Sequence, residues 1–494
     1  MKAVISVRAL ESAVLRGQTI PATSYSCTRA AHTQTTARRR HLHSSPSSSQ
    51  TASLSSLPPS SLSPATPAAE IRHAASTSKP PPPSVLATLP MSQVLRTYLI
   101  TAISSSPIML DASSAVLRRM LKSKSFLFSL EKNPLARLLL WETFYKQFCA
   151  GSNRSEIAQT CQKLRKQGYG GVVLEYALEV LEAEEGAAGS ELKDIARWKK
   201  GMLDSVSMAL PGDFVALKWS GMGSAALKLC AAEKPPSKEM DEAMHAICTA
   251  ASKKNIALLP SAEETWNLPG YHAWTLNLQR IYNRQGKSVM YNTYQCYLKS
   301  APATVSQHLD IARREGFTLG AKLVRGAYLA SEPRHLIHDT MEDTHAGFDG
   351  IMSALIKRGY NDTLKPTSQS TGPWPETNVF VATHNASSVA LAQSLRQAQA
   401  NAGETLTPLA FSQLQGMADE VSCKLLAGAR DEAGEGKVKE KVFKYTSWGT
   451  MTECLNYLLR RAAENKDAAS RTADTRKAMG GEMWRRLKGV VGFA

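Results

Sequence analysis

After Gly168 the sequence alternates eight short apolar runs with longer stretches of helical periodicity, and no other feature restricts the fold as much. The runs are Val172 to Tyr176, Phe214 to Lys218, Ile256 to Leu259, Val289 to Asn292, Leu319 to Arg325, Val379 to Thr383, Leu409 to Gln413 and Val442 to Tyr445. Each is too short for a helix and too apolar for a loop, which is the pattern of buried parallel strands joined by helical crossovers. Their number and the length they span predict an α/β chain with a (β/α)8 barrel. An open doubly wound sheet is the second arrangement the pattern allows.

Enzymes on such barrels work at the carboxyl ends of the strands. What stands there is uniformly polar: Lys218, Ser261 with Glu263, Asn292 with Gln295, Arg325, His384 with Asn385, Gln413 and Tyr445. The fifth run, within GAKLVRGAYLASE from Gly320 to Glu332, ends in Lys322, Arg325 and Gly326. Two cations beside an open backbone suit the floor of a pocket for an anionic ligand. Beyond the eighth run, YLLRRAAEN places Tyr457, Arg461 and Glu464 on one helical face with Arg460 beside them. Adjacent guanidiniums can grip one carboxylate, and a nearby Glu can fix their orientation.

The formal charge of +17 would suit a nucleic-acid or membrane partner, but it is unevenly spread. Residues 1–85 hold nine Lys and Arg against Glu11 and Glu70. That segment is rich in Ser, Thr and Ala and begins with an amphipathic pattern, as a mitochondrial presequence does, and its end is a Ser/Pro-rich linker. No nucleic-acid module is recognisable, so no nucleic-acid partner is expected. The eight cysteines form no CxxC pair and no zinc-ligand spacing, which fits reduced thiols and no metal site. No run of apolar residues is long enough to span a bilayer, and surface association stays open. Residues 86–166 read as a helical arm, 167–470 as the barrel, and 471–494 as a basic C-terminal tail.

Taken together, KLVRGAYL (Lys322 to Leu329), NTYQCYL (Asn292 to Leu298), ATHN (Ala382 to Asn385), QLQGM (Gln413 to Met417) and YLLRRAAEN (Tyr457 to Asn465) resemble the proline dehydrogenase family. The resemblance runs from about Tyr145 to Asn465. It implies FAD across the strand ends, with Asn292, Lys322, Val324, Arg325, Gly326, Thr344, His384, Asn385 and Gln413 as its contacts. It also implies that Arg460 and Arg461 hold the substrate carboxylate, that Lys218 and Glu464 complete the ion-pair network, and that Tyr445 packs over the substrate ring. The implied reaction is oxidation of L-proline to 1-pyrroline-5-carboxylate, with electrons passed from FAD to ubiquinone by a matrix enzyme associated with the mitochondrial inner membrane. A hydroxyproline dehydrogenase of the same family is the alternative. One departure stands out: the third strand of the family ends in Asp-Ala-Glu, whereas this chain has Ser261, Ala262 and Glu263. A hydroxyl does not replace a fixed negative charge.

A rival reading rests on GMGSAA, Gly221 to Ala226, which follows a run and matches the GxGxxA dinucleotide fingerprint of a Rossmann NAD enzyme. The acids about twenty residues on, Glu239 and Asp241, lie in helical, lysine-rich sequence instead of at a strand end.

Overall fold

The computed structural model describes residues 84–123, 125, 133–177, 190–430, 437–464 and 469–491; at 429–430, 460–464, 469–471 and 491 only the backbone is described. The presequence and linker expected over 1–85 therefore lie, up to residue 83, outside the described residues.

Seven of the eight runs coincide with strands and the fourth leads into one: β1 Gly171–Tyr176, β2 Phe214–Leu217, β3 Ala257–Pro260, β4 Asn292–Gln295, β5 Leu319–Val324, β6 Thr377–Ala382, β7 Leu409–Leu414 and β8 Lys441–Trp448. Every ladder is parallel, and the order runs β3, β2, β1, β8, β7, β6, β5, β4. The remaining seam closes through a parallel bridge between Leu258 and Met290. The Tyr291 N–H donates to the Leu258 carbonyl at 3.0 Å. This is the expected barrel. The GMGSAA segment spans the turn after β2 and the start of the helix Ser224–Ala231, but β2 is a strand of the closed barrel, so no Rossmann unit forms. Gly221 is there because a Cβ would lie 2.5 Å from the Trp198 ring.

Strand alternation divides the core in two. Val173, Phe214, Leu259, Tyr291, Phe380 and Phe443 point inward and fill the barrel. Phe214 sits edge-on to Phe380 and Phe443, with centroids 4.7 and 4.9 Å apart. The alternate residues, among them Leu174, Val215, Leu258, Leu323, Val381, Phe411 and Val442, pack outward against the helices.

The fourth strand is displaced from its apolar run. Asn283 accepts from the N–H groups of Val289 and Met290, both at 2.9 Å, and donates to the Met290 carbonyl at 2.7 Å. A side chain thus takes the groups a ladder would use, and pairing with β5 begins at Asn292. A second difference is a three-residue strand, Cys149–Gly151, that pairs with the end of β8.

The arm before the barrel contains helices Met91–Ser104, Pro107–Lys122 and Pro134–Leu140, followed by a π-helical turn at Trp141–Tyr145. Residues 469–491, expected from 471 on as a tail, are instead helical and packed on the first arm helix, where Val94 and Met479 share a buried cluster with Leu86, Leu89 and Cys423. Arg486 donates to the carbonyls of Leu86 and Leu89 at 3.0 and 2.8 Å, and pairs with Glu482 at 2.7 Å. Among the described residues no single helix is long and apolar enough to cross a membrane. The arm does expose large apolar side chains, including Leu99, Ile108, Leu135 and Leu139.

Candidate functional site at the barrel mouth

Parity along each strand decides which of the expected residues face the mouth. On β5, Leu319, Ala321 and Leu323 pack outward, so Lys322 and Val324 point in. The buried Lys322 ammonium lies 5.6 Å from the centroid of the Tyr445 ring and 3.5 Å from the Pro260 carbonyl. Tyr445 itself follows inward-facing Phe443 by two residues. Lys218 stands just past β2, where its charge acts on the buried Glu263. Burial pushes the Glu263 carboxyl above its usual range, against the opposing pull of Lys218 and of hydroxyls from Ser220 at 3.2 Å and Tyr328 at 3.3 Å.

Other expected contacts face elsewhere. Asn292 points into the helix layer, where it bonds His272 at 2.8 Å, because Tyr291, just before β4, faces inward and the alternation gives the next inward place to Thr293. Gln413 likewise lies on the outward parity of β7, donating to the Thr383 carbonyl at 3.2 Å and accepting from Ser422 at 2.9 Å. Arg325 is held at the strand end by Thr383 at 2.6 Å, Ser388 at 2.8 Å and His345 at 3.1 Å, with its guanidinium 4.3 Å above the Phe348 ring. Asn385 caps the helix Ala386–Asn401 by accepting from the Ser388 N–H at 3.0 Å. Thr344 lies in the first turn of the helix Met341–Lys357 and donates to the Thr340 carbonyl at 3.3 Å. Gly326 is required by packing: with φ at +156°, a Cβ would meet the Tyr297 ring at 2.4 Å.

Gln295 and His384 organise the mouth. Gln295 donates to the Glu263 carbonyl at 2.7 Å and accepts from the Ala327 N–H at 3.1 Å, joining the loops that follow β3 and β5. His384 Nε2 accepts the Leu414 N–H at 3.1 Å, so that nitrogen carries no proton.

A cavity of about 450 Å³ opens between the mouth and the arm. His384, Gln415, Tyr445, Ser447 and Tyr457 line it on the barrel side, and Leu117, Leu140, Phe144 and Phe148 on the arm side. Tyr457 belongs to the helix Met451–Glu464, which also carries Arg460, Arg461 and Glu464. The side chains of those three lie outside the described residues. The helix is anchored at its start, where the Tyr145 hydroxyl donates to the Gly449 carbonyl at 2.8 Å.

Two mouth residues carried no signal strong enough to single them out from sequence. Ser412 lies on β7 with a buried hydroxyl that has no partner among the described residues. Glu175, the penultimate residue of β1, is similar, with its Oε2 unpartnered among the described residues. An acid inside the otherwise apolar run VVLEY was the one clue to the second.

Residues 157–474 match the family described as proline dehydrogenase. A probable mitochondrial proline dehydrogenase of Schizosaccharomyces pombe is 35% identical over 237 residues, 47% of this chain and 46% of that protein. The mitochondrial proline dehydrogenase 1 of Homo sapiens is 33% identical over 249 residues, covering 50% of this chain and 39% of the relative. The chain thus aligns with less than half the length of either relative. Its fold matches that of proline utilization A from Bdellovibrio bacteriovorus, inactivated by N-propargylglycine, with a TM-score of 0.52 at 15% identity over 68% of this chain and 34% of that one. With the family match extending over most of the barrel and the strand-end motifs in place, the chain belongs to the proline dehydrogenase family.

Proposed function

We propose that this chain oxidises L-proline to 1-pyrroline-5-carboxylate with FAD as the resident oxidant. The observation that carries the reading is the buried Lys322 beneath Tyr445 at the carboxyl end of a closed barrel, beside a cavity bordered by the helix of the Arg pair. The mouth also fits a flavin: Lys322 offers a fixed cation, and the Ser412 hydroxyl is a buried polar group with no partner among the described residues. Bound there, FAD would accept a hydride from the ring carbon beside nitrogen. The protein's own part is to place that carbon. Tyr445 supplies a flat wall for the ring, and Arg460 and Arg461 clamp the carboxylate with Glu464 and Lys218 completing the charge network.

The arm side of the cavity is apolar, which supports ubiquinone as the electron acceptor and a peripheral seat on the mitochondrial inner membrane. The acid-poor, amphipathic start of the chain supports entry into the matrix. Residues 1–40 fused to a reporter should carry it into mitochondria, and a reporter left in the cytosol contradicts that location. The function is tested by incubating purified protein with L-proline and a soluble quinone and analysing the product by mass spectrometry. A product lighter by one pair of hydrogens is expected; unchanged proline with flavin bound contradicts the reading.

A further inference from the structure

Glu175 is placed to do something that the residues discussed so far do not. Val173, two positions earlier on β1, belongs to the interior cluster, so Glu175 faces the inside of the barrel mouth. It comes within 3.5 Å of the Ser261 hydroxyl although β2 separates their two strands, a contact made across the mouth. Its register partner on β8 is Ser447, which lines the cavity together with Tyr445. Glu175 is only 5% exposed, and its Oε2 has no hydrogen-bond partner among the described residues.

A buried carboxylate oxygen without a donor is costly, and such groups persist where a ligand completes them. Glu263, the neighbouring acid, differs on this point: both of its oxygens receive hydroxyls, and Lys218 lies close to it. Ser261 brings no charge to compete with Glu175, and as a donor it orients only Oε1. Among the described residues, therefore, no donor stands opposite Glu175 Oε2.

We propose that Glu175 accepts a hydrogen bond from the amino nitrogen of the substrate and is the second recognition point of the site. This rests on the proline reading above and deepens it. A small amino acid is held at two ends, its carboxylate by the Arg pair and its ring nitrogen by Glu175, which fixes the ring against Tyr445. A secondary amine keeps at least one N–H whether protonated or neutral, so the contact survives in either state. An isosteric ring with oxygen at that position has no donor to give.

The test compares L-proline with tetrahydrofuran-2-carboxylate, the ring-oxygen isostere, by anaerobic calorimetric titration of the full chain with its FAD chemically reduced beforehand, so that proline binds without being oxidised. Glu175→Gln is expected to weaken proline binding by about 10- to 100-fold while leaving the isostere unchanged, as expected for losing a hydrogen bond to a charged acceptor. Glu175→Asp keeps the charge one methylene farther away and is expected to give a smaller loss confined to proline. It also carries the test if the Gln variant fails to fold. Equal losses for both ligands, or no loss for either, would overturn the assignment, the former by showing that Glu175 serves the carboxylate clamp. Wild-type protein that binds neither ligand would overturn the proline reading itself, and that failure is visible before any variant is made.

Discussion

Lys322 on β5 and Tyr445 on β8 meet across the interior of the barrel, with two strands between them and the ammonium 5.6 Å from the ring centroid. The contact fixes the tyrosine ring as one wall of the mouth. A 4-hydroxyl on the substrate must find room and a partner against that wall, so proline should be preferred to 4-hydroxyproline. Tyr445→Ser should narrow the gap, mainly by weakening proline binding. Discrimination of one small group is worth about 1 to 3 kcal/mol, so the preference should be partial. The ratio of kcat/KM for the two substrates, in wild type and variant, measures it. An unchanged ratio would place the ring away from the substrate.

Arg460→Met and Arg461→Met should each raise the KM for proline and leave flavin content nearly intact. Removing one partner of a desolvated, paired carboxylate costs about 2 to 5 kcal/mol. Wild-type affinity in either variant would assign that arginine to the solvent face of the helix.

On the outer side of β8, Lys444 pairs with Asp419 at 2.7 Å, both essentially buried. Lys444 also donates to the Met417 carbonyl at 3.0 Å. The pair ties the strand to the helix Asp419–Arg430. Lys444→Met should destabilise the fold by about 3 to 5 kcal/mol, because it strands a buried carboxylate. Adding Asp419→Leu should recover much of the loss. Denaturant titration of the two variants checks this, and an additive second loss would contradict it.

Behind β4, His272 and His308 lie edge-on with centroids 5.1 Å apart and bond Asn292 and Tyr294, each at 2.8 Å. Burial pushes the His272 imidazole down to about 4 and His308 well below its ordinary value, the latter helped by its neighbour. A histidine depressed in the folded state gives stability that is complete above the unfolded value near 6.5 and is lost as pH falls toward the folded value. His272 alone should cost about 2 kcal/mol at about pH 5. The melting temperature of wild type should therefore fall between neutral pH and about pH 5 more steeply than that of His308→Gln. Parallel curves would show that His308 does not titrate on unfolding.

The eight apolar runs were legible as strands because both of their faces are buried and each run is too short for a helix. That same double burial hid the facing of the polar residues. In NTYQ nothing local tells that Thr293 and not Asn292 points inward, since helices and barrel interior both exclude water. Gln413 and Ser412 pose the same ambiguity on β7, and only the ladder with β6 and β8 resolves it. The displaced start of β4 depends on Asn283, whose bonds form only once the chain has folded back. Lys322 was readable because it is the one charged residue within a strand that is otherwise small or apolar. Glu175 was not, since a lone acid near the end of a strand is as often a solvated terminus as a ligand group.

The most direct test of the whole account is the visible spectrum of the purified, FAD-loaded protein before and after L-proline is added without oxygen. A flavin spectrum that bleaches on addition and returns when a quinone is supplied is the expected result. A bound flavin that stays oxidised in saturating proline would contradict it.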